Sequence, residues 1–273
     1  MPINITSHEL FTASQQLKSF IDRFVPEGRL TGALPSISTD YVKLQDEVMW
    51  GGVWQVPGLD VTLRSIATIS AQCCNGWGFG LHHQVRVGLS LGMSPQKIKG
   101  LFLQLMFYAG IPATVFALSQ AQRVINERTE WISEDRMPLK ADWLDSVEKK
   151  FQHAQSVITS NMDSGVVLSR LDSLEEQFIP ELHRLIESYE YGEVWRRSDL
   201  STKERMACIL VALMCRGHWH QFGEHVRRCL NGSLTQREVC ELVSQAGWYR
   251  GWPYVEDALA IIDELLAEST REH

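Results

Sequence analysis

Three histidines of this chain, His218, His220 and His225, stand close together, and imidazole is the side chain that ordinarily gives or takes a proton near neutral pH. Their spacing is poor for a metal site. On a helix His218 and His220 point apart, and no acidic residue stands beside them at ligand spacing. No metal is therefore expected. A second pair, His82-His83, interrupts an apolar run, which makes both candidates for lining a pocket. Six cysteines, at positions 73, 74, 208, 215, 229 and 240, bring thiols into consideration. None forms a Cys-x-x-Cys pair, and the neighbours Cys73 and Cys74 would close a disulfide only with strain. They read as small buried apolar residues in a reducing compartment.

The elements that must position these residues follow from an internal repeat. A constant offset of 141 residues carries Gly51, Val53 and Trp54 onto Gly192, Val194 and Trp195. It carries Arg64 onto Arg205, Gln104 onto Gln245, and Tyr108, Gly110 and Pro112 onto Tyr249, Gly251 and Pro253. Trp, Gly, Pro and Tyr at one offset are not what chance matching of apolar positions supplies. Residues near 50–118 thus recur near 191–259.

Each repeat reads as helices. Ser201 caps a helix with Glu204 as its capping-box partner, and Thr235 with Glu238 caps another. Phe222, Val226 and Leu230 give helical spacing that Asn231-Gly232 ends. Ser94-Pro95 marks a helix start in the first repeat, and Gly110-Ile111-Pro112 and Gly251-Trp252-Pro253 mark equivalent breaks. A further helix is predicted from Ser7 to Phe24, and Trp143, Val147 and Phe151 keep helical spacing. Loops are predicted near 26–38 and at Asn161 to Gly165. No period-2 strand pattern is found, so the class is all-α. The boundary falls in the charged stretch near 128–140, giving modules 1–128 and 129–273.

Composition excludes several function classes. With 44% hydrophobic and 22% charged residues the chain has the balance of a soluble globular protein. A formal net charge of −7 gives no electrostatic reason to expect nucleic acid or an anionic membrane. No signal peptide and no apolar run long enough to span a bilayer is read, so a cytoplasmic location is expected.

Trp50-Gly51-Gly52-Val53-Trp54, Pro57-Gly58-Leu59 and Arg64-Ser65 resemble the signature of γ-carboxymuconolactone decarboxylases. Tyr191-Gly192-Glu193-Val194-Trp195, with Leu200 and Arg205, does the same in the second repeat. The later family segment is matched by His225 through Gly232, Gln245 and Tyr249 to Pro253, and in the first repeat by Gly92, Gln104 and Tyr108 to Pro112. The resemblance implies an all-helical fold that assembles as rings of six modules, hence a trimer of this two-module chain. It implies cofactor-free decarboxylation of a small organic acid or lactone. A sister branch, the alkylhydroperoxidase D type, reduces peroxides with a Cys pair, but the matching positions here are Trp77 and Gly80, and His218 and Gln221.

In the family's chemistry an imidazole moves a proton and an arginine fork holds a carboxylate. The resemblance assigns these roles to His225 and Arg205, and Tyr249 is a further catalytic candidate, structural first and lining the pocket. The first repeat keeps Arg64 but has Gln84 in the histidine position, and His83 points about 100° away on a helix. The family's acidic residue, four positions before the histidine, is Gly80 or Gln221 here. Pocket candidates are Trp195, Glu224, His218, His82, His83, Arg64 and Tyr108. Trp77, Trp219, Trp248 and Trp252 flank these motifs and suggest an aromatic-lined pocket for a substrate unlike the family's founding one. The rival readings are a thiol peroxidase and a non-catalytic assembly or ligand-binding protein with decayed sites.

Overall fold

The computed structural model describes residues 6–22, 38–76, 78–132, 146–161 and 179–271. Among these all regular structure is helical, in twelve α-helices. The first is α1 (Ser7–Asp22), followed by α2 (Thr39–Leu44), which runs on into a π-helical turn over Gln45–Trp50. Then come α3 (Val61–Asn75), α4 (Gly78–Ser90), α5 (Pro95–Ala109) and α6 (Ile111–Ile125). The second repeat follows the same plan: α7 (Val147–Asn161), α8 (Pro180–Tyr189) with a π turn over Glu190–Val194, α9 (Thr202–Arg216), α10 (Trp219–Arg228), α11 (Gln236–Arg250) and α12 (Trp252–Arg271).

The caps read from the sequence are the caps observed. Ser201 with Glu204 and Thr235 with Glu238 form full capping boxes, and Ser94 caps α5 with Pro95 in its first turn. Gly110 and Gly251, at φ of 88° and 118°, take a positive-φ extended conformation open to glycine, which separates α5 from α6 and α11 from α12. The end expected at Asn231-Gly232 falls within a third π turn, Cys229–Ser233, where Gly232 leaves helical geometry at φ 146°. The helix expected to Phe24 is described as far as Asp22. The 26–38 loop apart from Ser38, the boundary from 133 onward, positions 162–165, Trp77 and Trp143 lie outside the described residues.

One apolar core joins the two repeats. Helices α3 and α9, buried along most of their length, pack on each other at its centre. Each also packs on a helix of the opposite repeat, α3 against α11 and α9 against α5. Leu63, Ile66, Leu101, Phe102, Leu210 and Leu242 therefore belong to a single cluster. The repeats are interleaved rather than set side by side.

The two π turns that open the repeats are fixed from outside by α1 and α7. Gly51 and Gly192 make this approach possible: a Cβ on the first would strike the Leu10 carbonyl of α1, and one on the second the Lys150 carbonyl of α7. A buried ion pair accompanies each contact. Lys18 pairs with Asp46 in the first repeat, and Lys150 Nζ meets Glu193 Oε2 at 2.8 Å in the second. Such pairs bring directional restraint more than net stability. Here they fix the turn that carries Glu190.

Candidate active site

The two arginines of the repeat lie at the seam. Arg205, with 1% of its side chain exposed, donates from Nη1 to Gln104 Oε1 at 3.0 Å. Its Nη2 reaches the Arg197 carbonyl at 2.6 Å and Asp199 Oδ1 at 3.2 Å. Arg64 does the equivalent in the other direction. Its Nη1 donates to Val53 O at 2.9 Å and Gln245 Oε1 at 3.1 Å, and its Nη2 to the Val56 carbonyl and, at 2.8 Å, Glu241 Oε2. Each repeat's arginine thus bonds the other repeat's glutamine. The carboxylates compensate. Asp199 lies against Gly100, while Glu241 lies against Gly58, so at each junction one position holds the acid and the matching position is glycine.

The crossing of helices brings Tyr108 of the first repeat to His225 of the second. Their rings meet edge to face, with centroids 6.4 Å apart and planes at 89°. Tyr108 Oη donates to Glu190 Oε1 at 2.7 Å. Tyr108 is near the end of α5, Glu190 opens the second π turn, and His225 is on α10. A π turn breaks the regular helical register, and such turns recur at functional sites.

The electrostatics set each group's protonation. Burial raises the Glu190 carboxyl to about 7, the Tyr108 hydrogen bond working against that rise and the nearby Glu187 charge adding to it. Burial also pushes the Tyr108 phenol well above its ordinary value, with Glu190 as the next cause. Burial and then the Arg228 charge depress His225 to about 4, so at neutral pH its ring is uncharged. His225 Nδ1 lies 2.8 Å from the Gln221 carbonyl, which only accepts. The ring proton is therefore on Nδ1, and Nε2 carries a lone pair.

Tyr249, a catalytic candidate from the sequence, lies at the matching position of the other half. Its hydroxyl accepts from Trp54 Nε1 at 3.3 Å. There Gln84 replaces the histidine and Met49 replaces Glu190. Trp50 stacks on Trp54 at 5.3 Å, and His83 meets Trp50 edge-on at 6.3 Å. Burial, followed by the Arg86 charge, lowers His83 to about 3. His82 bonds its own repeat, with Nε2 2.8 Å from Arg86 and 3.2 Å from Glu127.

The remaining candidates are dispersed. Glu224 pairs with Arg227 at 3.0 Å, and His218 is exposed at the start of α10. Trp195 packs on Tyr191 at 5.8 Å. Its Nε1 is buried and unbonded among the described residues, although the equivalent Trp54 nitrogen reaches a tyrosine. Cys73, Cys74, Cys208 and Cys215 are all buried. Burial raises Cys73 to about 12 and Cys74 to about 11, and it raises the other two as well, which opposes the thiolate a peroxidase needs. Among the described residues no group of three or more His, Cys, Asp or Glu is placed to hold a metal, and no helix is long and apolar enough to cross a membrane.

Sequence reasoning missed Glu190. The signal was available: within otherwise matching segments, Met49-Trp50-Gly51 faces Glu190-Tyr191-Gly192, an acid replacing an apolar residue beside the motif.

Two all-α modules that share a core, with a Tyr108–Glu190–His225 cluster drawn from both, define a fused tandem helical protein. The model of the carboxymuconolactone decarboxylase family matches residues 39–123 and again 180–264, and the chain belongs to that family. It is similar to the 4-carboxymuconolactone decarboxylase of Acinetobacter baylyi, at 25% identity over 121 residues, covering 44% of this chain and 90% of that protein. It is also similar to the nitrosuccinic acid decarboxylase of Metarhizium robertsii, at 29% identity over 82 residues, covering 30% of this chain and 57% of that protein.

Proposed function

We propose that the chain is a cofactor-independent decarboxylase of a small organic acid or lactone acid, working at Glu190, Tyr108 and His225. The observation that carries this reading is the buried, Tyr108-bonded Glu190 beside His225, where burial sets an acid near neutrality against a fixed neutral imidazole. The decarboxylase activities for which the two relatives are named support the reaction class.

Loss of CO2 leaves the bonding electron pair on carbon, and that carbon must then take a proton. Glu190, titrating near 7, is protonated in a substantial fraction of molecules at neutral pH and supplies it. The carboxylate that remains accepts the Tyr108 hydroxyl, and solvent returns the proton. His225 is too weak a base at about 4 to lead the proton transfer. Its Nε2 lone pair instead accepts a hydrogen bond from substrate and orients it. In this reading the proton-transfer role first given to His225 passes to Glu190. Arg205 acts as a positioning residue, tying the two repeats together around the site.

The reading extends to assembly. Ile111 and Trp252 occupy equivalent positions, and both are exposed, at 64% and 49%. Matching apolar side chains on both repeats suit a closed ring of three chains.

The test is CO2 release from a panel of small acids that includes 4-carboxymuconolactone and nitrosuccinate. Release by the wild type and loss of it in Glu190→Gln is expected. Release unchanged in Glu190→Gln overturns the site assignment, and no release from any acid overturns the function.

A further inference from the structure

We propose that Arg228 is the anchor for the substrate carboxylate, holding the charged end of a small carboxylic acid beside His225. The inference deepens the decarboxylase reading and rests on it for taking the bound acid as substrate.

Three observations converge on this residue. Arg228 follows His225 by one helical turn on α10, and side chains three apart share a helix face. The other arginines at hand are occupied: Arg64 and Arg205 form the seam, and Arg227 pairs with Glu224 and Glu268. Arg228 makes no hydrogen bond or ion pair among the described residues, and its Nε is buried without a partner. A guanidinium N–H removed from water and left without an acceptor is costly. A carboxylate lying across the Nε–Nη edge would satisfy it bidentately.

The repeat supplies the third observation. The first repeat keeps Arg227 as Arg86, but Arg228 becomes Val87, which is fully buried. Among the described residues, the arginine with an unbonded buried Nε three positions after the histidine column thus stands in the half that carries His225 and Glu190, where the other half has Gln84 and Met49. Glu190 itself bonds Tyr108, so the acid and the cation are kept for different parts of one ligand. The chemistry that fits is a carboxylate to be held at Arg228 and a reacting carbon to be protonated from Glu190.

The test is calorimetric binding of succinate, with neutral succinamide for comparison, together with an NMR titration of the His225 ring. Wild type is expected to bind succinate and not succinamide, and His225 titrates higher once bound carboxylate offsets the Arg228 charge. Arg228→Gln should weaken succinate binding by about ten- to a hundredfold and abolish the ligand-induced shift. Arg228→Lys should keep part of both, and Arg227→Gln should match wild type. If Arg228→Gln fails to fold, the same loss must appear in reduced degree in folded Arg228→Lys.

Equal binding of succinate by Arg228→Gln, equal binding of succinamide by wild type, or no succinate binding by wild type overturns the anchor. The two readings fail separately. Succinate held through Arg228 with no CO2 release from any acid sinks the decarboxylase and leaves the anchor. CO2 release unaffected by Arg228→Gln does the reverse.

Discussion

Tyr108 and Glu190 come from different repeats, and the phenol of one donates a 2.7 Å hydrogen bond to the carboxyl of the other. A site assembled in this way belongs to neither module alone. It exists because α9 packs on α5 and α3 on α11, which exchanges the ends of equivalent helices between repeats. One exchange brings Tyr108 to His225, and the matching one leaves Tyr249 bonded to Trp54.

Glu190→Gln keeps the shape of the side chain and removes its transferable proton. Steady-state CO2 release should fall by about a hundredfold or more, the lower range for a general acid. Wild-type activity should decline as pH rises through about 7, because the protonated fraction of Glu190 falls there.

Tyr108→Phe removes a donor that favours ionised Glu190, so the carboxyl should titrate above 7 and the falling limb should move to higher pH. Tyr249→Phe should leave the profile in place. A shift in the Tyr249 variant instead would put the working site in the other half.

The same groups make stability depend on pH in opposite senses. Glu190 rises from 4.5 to about 7 on folding, so its stabilising protonation is complete below 4.5 and is lost as pH rises through 7. His225 falls from 6.5 to about 4, so its contribution is present above 6.5 and is lost as pH falls through 4. Chemical denaturation across this range should show Glu190→Gln gaining on wild type as pH increases.

Much of the scaffold was legible because its signals are local. The capping boxes at Ser201 and Thr235 and the breaks at Gly110 and Gly251 each depend on residues a few positions apart. The site was less legible for two physical reasons. Tyr108 and Tyr249 are equivalent in sequence, and only long-range packing decides which one meets His225. Glu190 lies in a π turn, where the helical period that reveals buried faces is broken. Arg205 was read as a carboxylate clamp because its fork suits one. Two of the acceptors that hold it, Gln104 and Asp199, come from the other repeat and from the preceding loop.

Arg205→Met should therefore act on folding first. Removing one member of a buried charged network costs about 3–5 kcal/mol, read as a lower denaturation midpoint. A double-mutant cycle with Gln104→Leu should show coupling across the repeats. Full stability with turnover lost would return Arg205 to the chemistry.

On the proposed ring of three chains, Trp252→Glu should sediment as monomers, since it places charge on an exposed apolar position matched by Ile111. An unchanged sedimentation coefficient would remove this surface from the assembly.

The carboxyl of Glu190 can be followed directly by carbon-13 NMR across pH in uniformly labelled protein, with Glu190→Gln assigning the resonance. A midpoint near 7 that moves upward in Tyr108→Phe is the expected result. A midpoint at the ordinary 4.5, indifferent to Tyr108, would contradict a proton donor held at the seam between the repeats.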